Sequence, residues 1–463
     1  MTGTARARPG LAEGDSNRSP QREAFARRLD PAVRALVQAD AHRFLHQALS
    51  SPCLSAVARA EGLWLEDLAG RRYMDFHGNN VHHLGHGHPR LIAALKAQLE
   101  ELPFTPRRFT NVPAVALAEK LAAIAPGNLD KVLLAPGGSE AVEMALKLAR
   151  AVTGRHKTIS FWDSFHGAGF GAASVGGEAL FRSGPAGPLL AGTEHVAPFA
   201  CYRCPYGYPE RDGRPQLELC AMRCASFVRY VLEKEEDVAA VIAEPVRAVP
   251  YLPPPGFWTE VRRACDDHGA LLIFDEIPNG LGRTGRLFAC EHYDVVPDIL
   301  VLGKALGGGV LPVAAMLTRS ELDVAGDRAL GHYTHEKNPV LARAALATLE
   351  IIEDERLVEN AARVGAHALA RLQELKTSHP LIGDVRGLGL LLGVELVRDR
   401  ATKEPASDEA DAVLYRCLRG GLSFKTTLGN VLTLTPPLTV TERDIDRAVA
   451  IIDEALHETE REM

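Results

Sequence analysis

Residues 271–309 read LLIFDEIPNGLGRTGRLFACEHYDVVPDILVLGKALGGG. Two stretches in it, 271–274 and 299–302, are continuous in apolar residues rather than alternating. That is the pattern of strands buried on both faces of a parallel sheet. Asp275 follows the first stretch and Lys304 lies just past the second. Ligands of open α/β sheets bind beyond the carboxyl ends of the strands. The sequence therefore predicts an acid and an amine over one sheet edge. Gly307, Gly308 and Gly309, just behind the lysine, let backbone approach a ligand closely.

Taken singly, Asp275 has the pattern of a turn cap and Lys304 that of a surface lysine. Together they meet one chemical need. A lysine amine forms a Schiff base with a carbonyl cofactor, and a carboxylate keeps a pyridine nitrogen protonated. Pyridoxal 5'-phosphate (PLP) requires both. The wording is also specific: DE-x-x-x-G-x-G-R-T-G, then PD-x-x-x-x-GK-x-x-x-GG. It resembles the class III aminotransferase family, from about Trp64 to the C-terminus. The resemblance implies an α/β chain of fold type I, the PLP-dependent transferase fold. A mainly parallel central sheet would lie in a large domain, with an α+β small domain beside it. The expected division is a disordered tail over 1–23, a small domain from 24–75 and 340–463, and a PLP-binding domain over 76–339. The last carries a cysteine-rich insertion at 198–225.

A chain of 463 residues suits two interlocked domains. Its net charge of −7 gives no basic footprint for nucleic acid. No apolar run reaches bilayer length and the Arg-rich start has no apolar stretch behind it, so a cytoplasmic location is expected. Cys201, Cys204, Cys220 and Cys224 cluster in CYRCPYGYPERDGRPQLELCAMRC. The C-x-x-C start has zinc-knuckle spacing, but the second pair is C-x-x-x-C. Partly buried, reduced thiols are the expectation, with no metal. His77, His82, His83, His86 and His88 crowd DFHGNNVHHLGHGHP. No cysteine or carboxylate stands at ligand spacing there, which leaves a loop–helix junction.

The rest of the expected site follows the chain. Between a strand at 131–135 and a helix from Glu140, PGGS offers free N–H groups at a positive dipole end, which suits a phosphate. It matches the family's S-G-S-E-A element, with Gly138 and Ser139 as phosphate binders and Gly137 where serine is common. After the next strand, DSFHGAG places Phe165 as the aromatic residue on one face of the cofactor ring, followed by His166. Ile277 would cover the other face. Glu244 ends a buried strand and Arg247 stands where the family writes glutamine; with Arg108 of TPRRFTN, these are the expected substrate contacts. Thr334, in GHYTHEKNP, matches a threonine that crosses a dimer interface to the partner's phosphate site. The resemblance thus implies a homodimer with shared active sites.

Two departures bear on activity. The arginine that grips an α-carboxylate in the family's amino-acid transaminases is Thr433 here, so such substrates lose a bidentate partner. Pro278 replaces a glutamine and removes a side-chain donor. A transaminase must also accept a keto acid, whose carboxylate needs that arginine, whereas a lyase handles one substrate. The N-N-V-x-H wording resembles the branch holding phosphoamine phospho-lyases and phosphonate ammonia-lyases. The expected activity is β-elimination from a small anionic amine, an aminoethyl compound bearing phosphonate, with ammonia released when the enamine hydrolyses. The alternatives are an ω-transaminase and a non-catalytic PLP-binding module.

Overall fold

The computed structural model describes residues 18–463 apart from 212 and 213. The expected tail therefore lies mostly outside the described residues. Its last part is helical instead: Ser19 caps the helix Pro20–Arg27 by accepting from the Arg22 N–H.

The chain forms two compact units. One takes residues up to Gly78, Gly85–Gly87 and Ala362–Met463; the other takes Asn79–Leu84 and His88–Ala361. The larger unit is built on a seven-stranded sheet. Its strands are β1 (Lys131–Ala135), β2 (Lys157–Phe161), β3 (Thr193–Val196), β4 (Val238–Ala243), β5 (Leu271–Asp275), β6 (Ile299–Leu302) and β7 (Ala314–Thr318), in the order β1-β7-β6-β5-β4-β2-β3. From β6 to β3 every pairing is parallel; β7 alone runs antiparallel to both of its neighbours. All residues of β4, β5, β6 and β7 are buried. That explains their continuous apolar runs, since both faces need cover.

One face is covered by α1 (Gly138–Thr153), whose Val142, Ala145 and Ala149 pack on Ile273, Ile299, Val301 and Met316. The helix stops at Gly154, in the left-handed conformation that glycine adopts without steric penalty. Further along, α2 (Arg223–Glu235) and α3 (Phe257–His268) pack on each other, α2 lying against β2 and β3 and α3 against β5.

The boundary expected at 340 moves. Helix α4 (Pro339–Asp354) belongs to the larger unit because it packs along the helices Pro89–Glu101 and Val112–Ile124. Buried Ala342, Ala344, Ala345 and Ala347 keep its surface small enough for close approach.

The smaller unit holds two sheets. Val57–Glu61, Trp64–Asp67 and Arg72–Asp75 form an antiparallel set, extended by Leu422–Ser423. Ile382–Leu388, Leu391–Asp399, Val431–Leu434 and Lys425–Thr427 form the second, with antiparallel pairings. The closing helix, Glu442–Glu460, starts on a reciprocal cap: Thr441 Oγ1 accepts from the Asp444 N–H, and Asp444 Oδ2 accepts from the Thr441 N–H. No described helix is long and apolar enough to cross a membrane.

Candidate active site

Because β5 and β6 are parallel neighbours, with Asp275 opposite Val301, their carboxyl ends coincide. Lys304 follows β6 after one glycine and opens a short turn, Lys304–Gly307, with its own φ at +46°. A left-handed backbone is strained for any side chain bearing a Cβ and persists only where packing enforces it.

Asp275 is 1% exposed. Its Oδ1 accepts from the Ile277 N–H at 3.0 Å, and its Oδ2 lies 2.8 Å from His166 Nδ1. A carboxylate only accepts, so Nδ1 carries the hydrogen and His166 fixes the plane of the acid. The His166 side chain is itself fully buried, at the end of the loop that follows β2.

Three glycine contacts draw the remaining pieces in. A Cβ on Gly138 would stand 2.8 Å from Ile277 Cδ1, and one on Gly303 would stand 3.3 Å from Ile277 Cγ1. Ile277 therefore sits between the start of α1 and the residue before Lys304. A Cβ on Gly167 would come within 2.9 Å of Ser139 Cα, and the Ala168 N–H donates to Ser139 Oγ at 3.2 Å. The Ser139 hydroxyl keeps its hydrogen to give elsewhere. Gly137, Gly138 and Lys304 line one cavity of about 300 Å³, closed on another side by Val81 and Pro312. Phe165 is half-buried beside Phe181, their ring centres 4.6 Å apart.

This arrangement fits pyridoxal phosphate on grounds apart from motif wording. Gly137 and Gly138 leave the first N–H groups of a sixteen-residue helix facing the same space as a lysine, without a Cβ in the way. A helix N-terminus of this kind binds a phosphate, and an amine beside it reaches a carbonyl on the same molecule.

The expected substrate contacts fare differently. Glu244 and Arg247 pair with each other, 2.7 Å apart, with side chains 1% and 6% exposed. The second carboxylate oxygen accepts from the Ala248 N–H, while Arg247 Nε donates to the Asp163 carbonyl at 2.6 Å. Arg247 is thus committed within the protein, and its reading as a ready anion grip is corrected. Arg108 is exposed. Its neighbour Arg107 lies against the His332 ring, and Asn111 donates to the Lys337 carbonyl, so loops 105–111 and 331–338 are held together. Thr334 is exposed on the second loop.

The structure also shows a support that the sequence reading passed over. Glu276, next to Asp275, is fully buried and accepts from the N–H groups of Ala289 and Cys290. Burial outweighs those bonds and pushes its carboxyl up to about 7. Arg283 is 0% exposed, and burial pulls its guanidinium down to about 9. It donates to His83 Nδ1 at 3.3 Å, so His83 is neutral there and gives its Nε2 hydrogen to the Gly280 carbonyl. Burial and the nearby Arg283 charge hold His83 well below the usual histidine range. The signal was present in G-x-G-R-T-G and in the second histidine of N-V-H-H, but only folding brings them together. In the smaller unit, Thr433 is buried and bonded to Thr427, 2.7 Å between hydroxyls. Opposite it in register stands Lys425, a buried cation the reading did not single out.

Known proteins resemble this chain over nearly its whole length. The family model for class III aminotransferases matches residues 46–456. An (R)-1-hydroxy-2-aminoethylphosphonate ammonia-lyase of Vibrio splendidus is 48% identical over 96% of this chain and 95% of its own. A leucine/methionine racemase of Thermococcus litoralis is 39% identical over 89% and 92%. Among solved structures, an (S)-enantioselective omega-transaminase of Thermomicrobium roseum superposes with a TM-score of 0.85 at 32% identity, covering 93% of this chain and 99% of its own. A family match over most of the chain and a likeness of fold at this level leave one assignment: the chain belongs to the class III aminotransferase family and is a PLP-dependent enzyme of fold type I.

Proposed function

We propose that the protein is an ammonia-lyase that converts (R)-1-hydroxy-2-aminoethylphosphonate to phosphonoacetaldehyde and ammonia. The observation that carries this reading is the 48% identity to an ammonia-lyase across nearly the whole of both chains, against 39% or less for the racemases and transaminases beside it. Thr433, uncharged where amino-acid transaminases grip a carboxylate, agrees with it.

When bound, PLP draws electrons from the carbon that carries the substrate's nitrogen. The chain's own residues do the rest. Asp275, steadied by His166, would hold the proton on the ring nitrogen and so keep that pull strong. Gly138 and Ser139 would bind the phosphate, and Ile277 and Phe165 would flank the ring. The Lys304 amine removes the proton beside nitrogen, and its ammonium then gives a proton to the departing 1-hydroxyl, which leaves as water. The amino-alkene formed takes up one water and yields the aldehyde and ammonia, so water lost is water regained. Arg108 serves as the cation for the phosphonate, through two parallel hydrogen bonds. Thr334 acts in the partner's site of a cytoplasmic homodimer.

The decisive assay is ammonia release with and without pyruvate across aminoethyl phosphonates and phosphates. A lyase releases ammonia from the hydroxyphosphonate without a keto acid. Turnover that depends strictly on pyruvate would instead establish the second reading, an ω-transaminase, which the likeness to the T. roseum structure supports.

A further inference from the structure

The insertion between β3 and α2 is unused by the chemistry above, yet its four cysteines do not scatter. Cys201, Cys204, Cys220 and Cys224 all line one cavity of about 30 Å³. That volume has room for a water-sized occupant. We propose that these four thiols form a structural zinc site, with C-x-x-C from the loop after β3 and C-x-x-x-C from the turn into α2.

The backbone shows how the two pairs come to face one another. Cys204 opens a turn in which the Gly207 N–H donates to the Cys204 carbonyl at 3.0 Å, with Gly207 at φ +75°. Between Cys220 and Cys224 the chain reverses through two consecutive left-handed residues, Ala221 (φ +43°) and Met222 (φ +47°). Such residues are uncommon without glycine. Here they break a would-be continuous helix, so that Cys220 and Cys224 end on the same cavity. The Tyr206 hydroxyl, in the same lining, is buried without a hydrogen-bond partner among the described residues.

The ligand set suits zinc. Four thiolates in tetrahedral array, with no open position, make a closed structural centre. The spacing is C-x2-C-x15-C-x3-C, one residue longer than the common form only in its last gap. No three of the sulfurs lie mutually within 4.8 Å among the described residues, so binding draws them inward around the ion. The site would tie the insertion to the segment behind Glu244 and Arg247: Pro254 is in the lining, and Met222 Cε packs beside Gly256 at the start of α3.

The test uses the full chain with its cofactor. Protein exchanged into zinc and then dialysed should retain about one zinc per chain by plasma mass spectrometry, as a closed four-ligand site requires. A mercurial that titrates thiols should release that zinc. Cobalt in its place should give visible bands and sulfur charge-transfer absorbance. Cys204→Ser and Cys224→Ser should each lose the metal and lower the melting temperature while the bound-cofactor spectrum persists. Absence of retained zinc in the wild-type chain, with all four thiols reacting freely, overturns the proposal even if the variants fail to fold. So does recovery of two disulfides on alkylation without reductant.

Discussion

At the scale of single residues, Lys304 and the paired charges make separable predictions. Lys304→Ala removes the amine that engages the cofactor. Its visible absorbance band and turnover should vanish together while the melting temperature stays near that of the parent apoprotein; retained turnover would count against the whole site. Arg108 is exposed, whereas Arg247 is buried against Glu244. Arg108→Ala should raise KM for the phosphonate with kcat and stability nearly unchanged. Arg247→Ala strands a buried carboxylate, which typically costs about 3–5 kcal/mol, so its first effect should be on the denaturation midpoint. Equal and purely kinetic effects from the two changes would contradict the geometry. Histidines set the pH dependence. Burial lowers His195 to about 4 and holds His83 well below its ordinary 6.5. A base depressed in the folded state favours folding above its unfolded pKa, and that contribution is lost as pH falls from 6.5 towards 4. Glu276, raised to about 7, works oppositely, favouring the fold on the acid side. The urea midpoint should drop between pH 7 and pH 5, and the drop should shrink in His195→Asn, which removes one of the depressed groups.

At the scale of elements, the strands were the easiest to read because full burial writes itself as an unbroken apolar run. Ile273 is 0% exposed at the centre of β5, in the cluster under α1. Ile273→Ala should destabilise by about 2–5 kcal/mol, the usual range for such a truncation in a packed core, measured by chemical denaturation of the holoenzyme. A loss under about 0.5 kcal/mol, typical of surface changes, would mean the strand is not core. The start of α1 is equally testable. Gly138→Val places side-chain atoms where Ile277 and the cavity already meet, so cofactor affinity should fall in a titration while helix content holds. Other elements were silent in sequence. The strand Val57–Glu61 is exposed along its whole length and shows no apolar pattern, and the helix Ser407–Arg419 was not singled out although it buries Ala410, Val413 and Leu414. The antiparallel direction of β7 has no local signature at all, since a buried strand reads the same in either direction.

At the scale of the whole molecule, loops 105–111 and 331–338 are exposed yet held to one another, and beside them Phe109 and Val112 are 65% and 81% exposed. A homodimer that covers this surface is the expected assembly of the proposed shared site. Sedimentation should give a dimer at working concentrations, and mixing Lys304→Ala with Thr334→Ala chains should restore turnover through hybrids that keep one intact site. A fully active monomer would remove the shared-site reading. The sequence by itself determined the buried strands 271–274 and 299–302 and the family, because full burial is written as an unbroken apolar run and the family's wording as contiguous motifs. Tertiary structure alone decided which charges are spent. Glu244 closes on Arg247, His83 meets Arg283 from 200 residues away, Lys425 comes opposite Thr433, and four cysteines converge on one small cavity. Those outcomes depend on which distant side chains share a low-dielectric space, where an unpaired charge or donor is costly, and no local pattern records that.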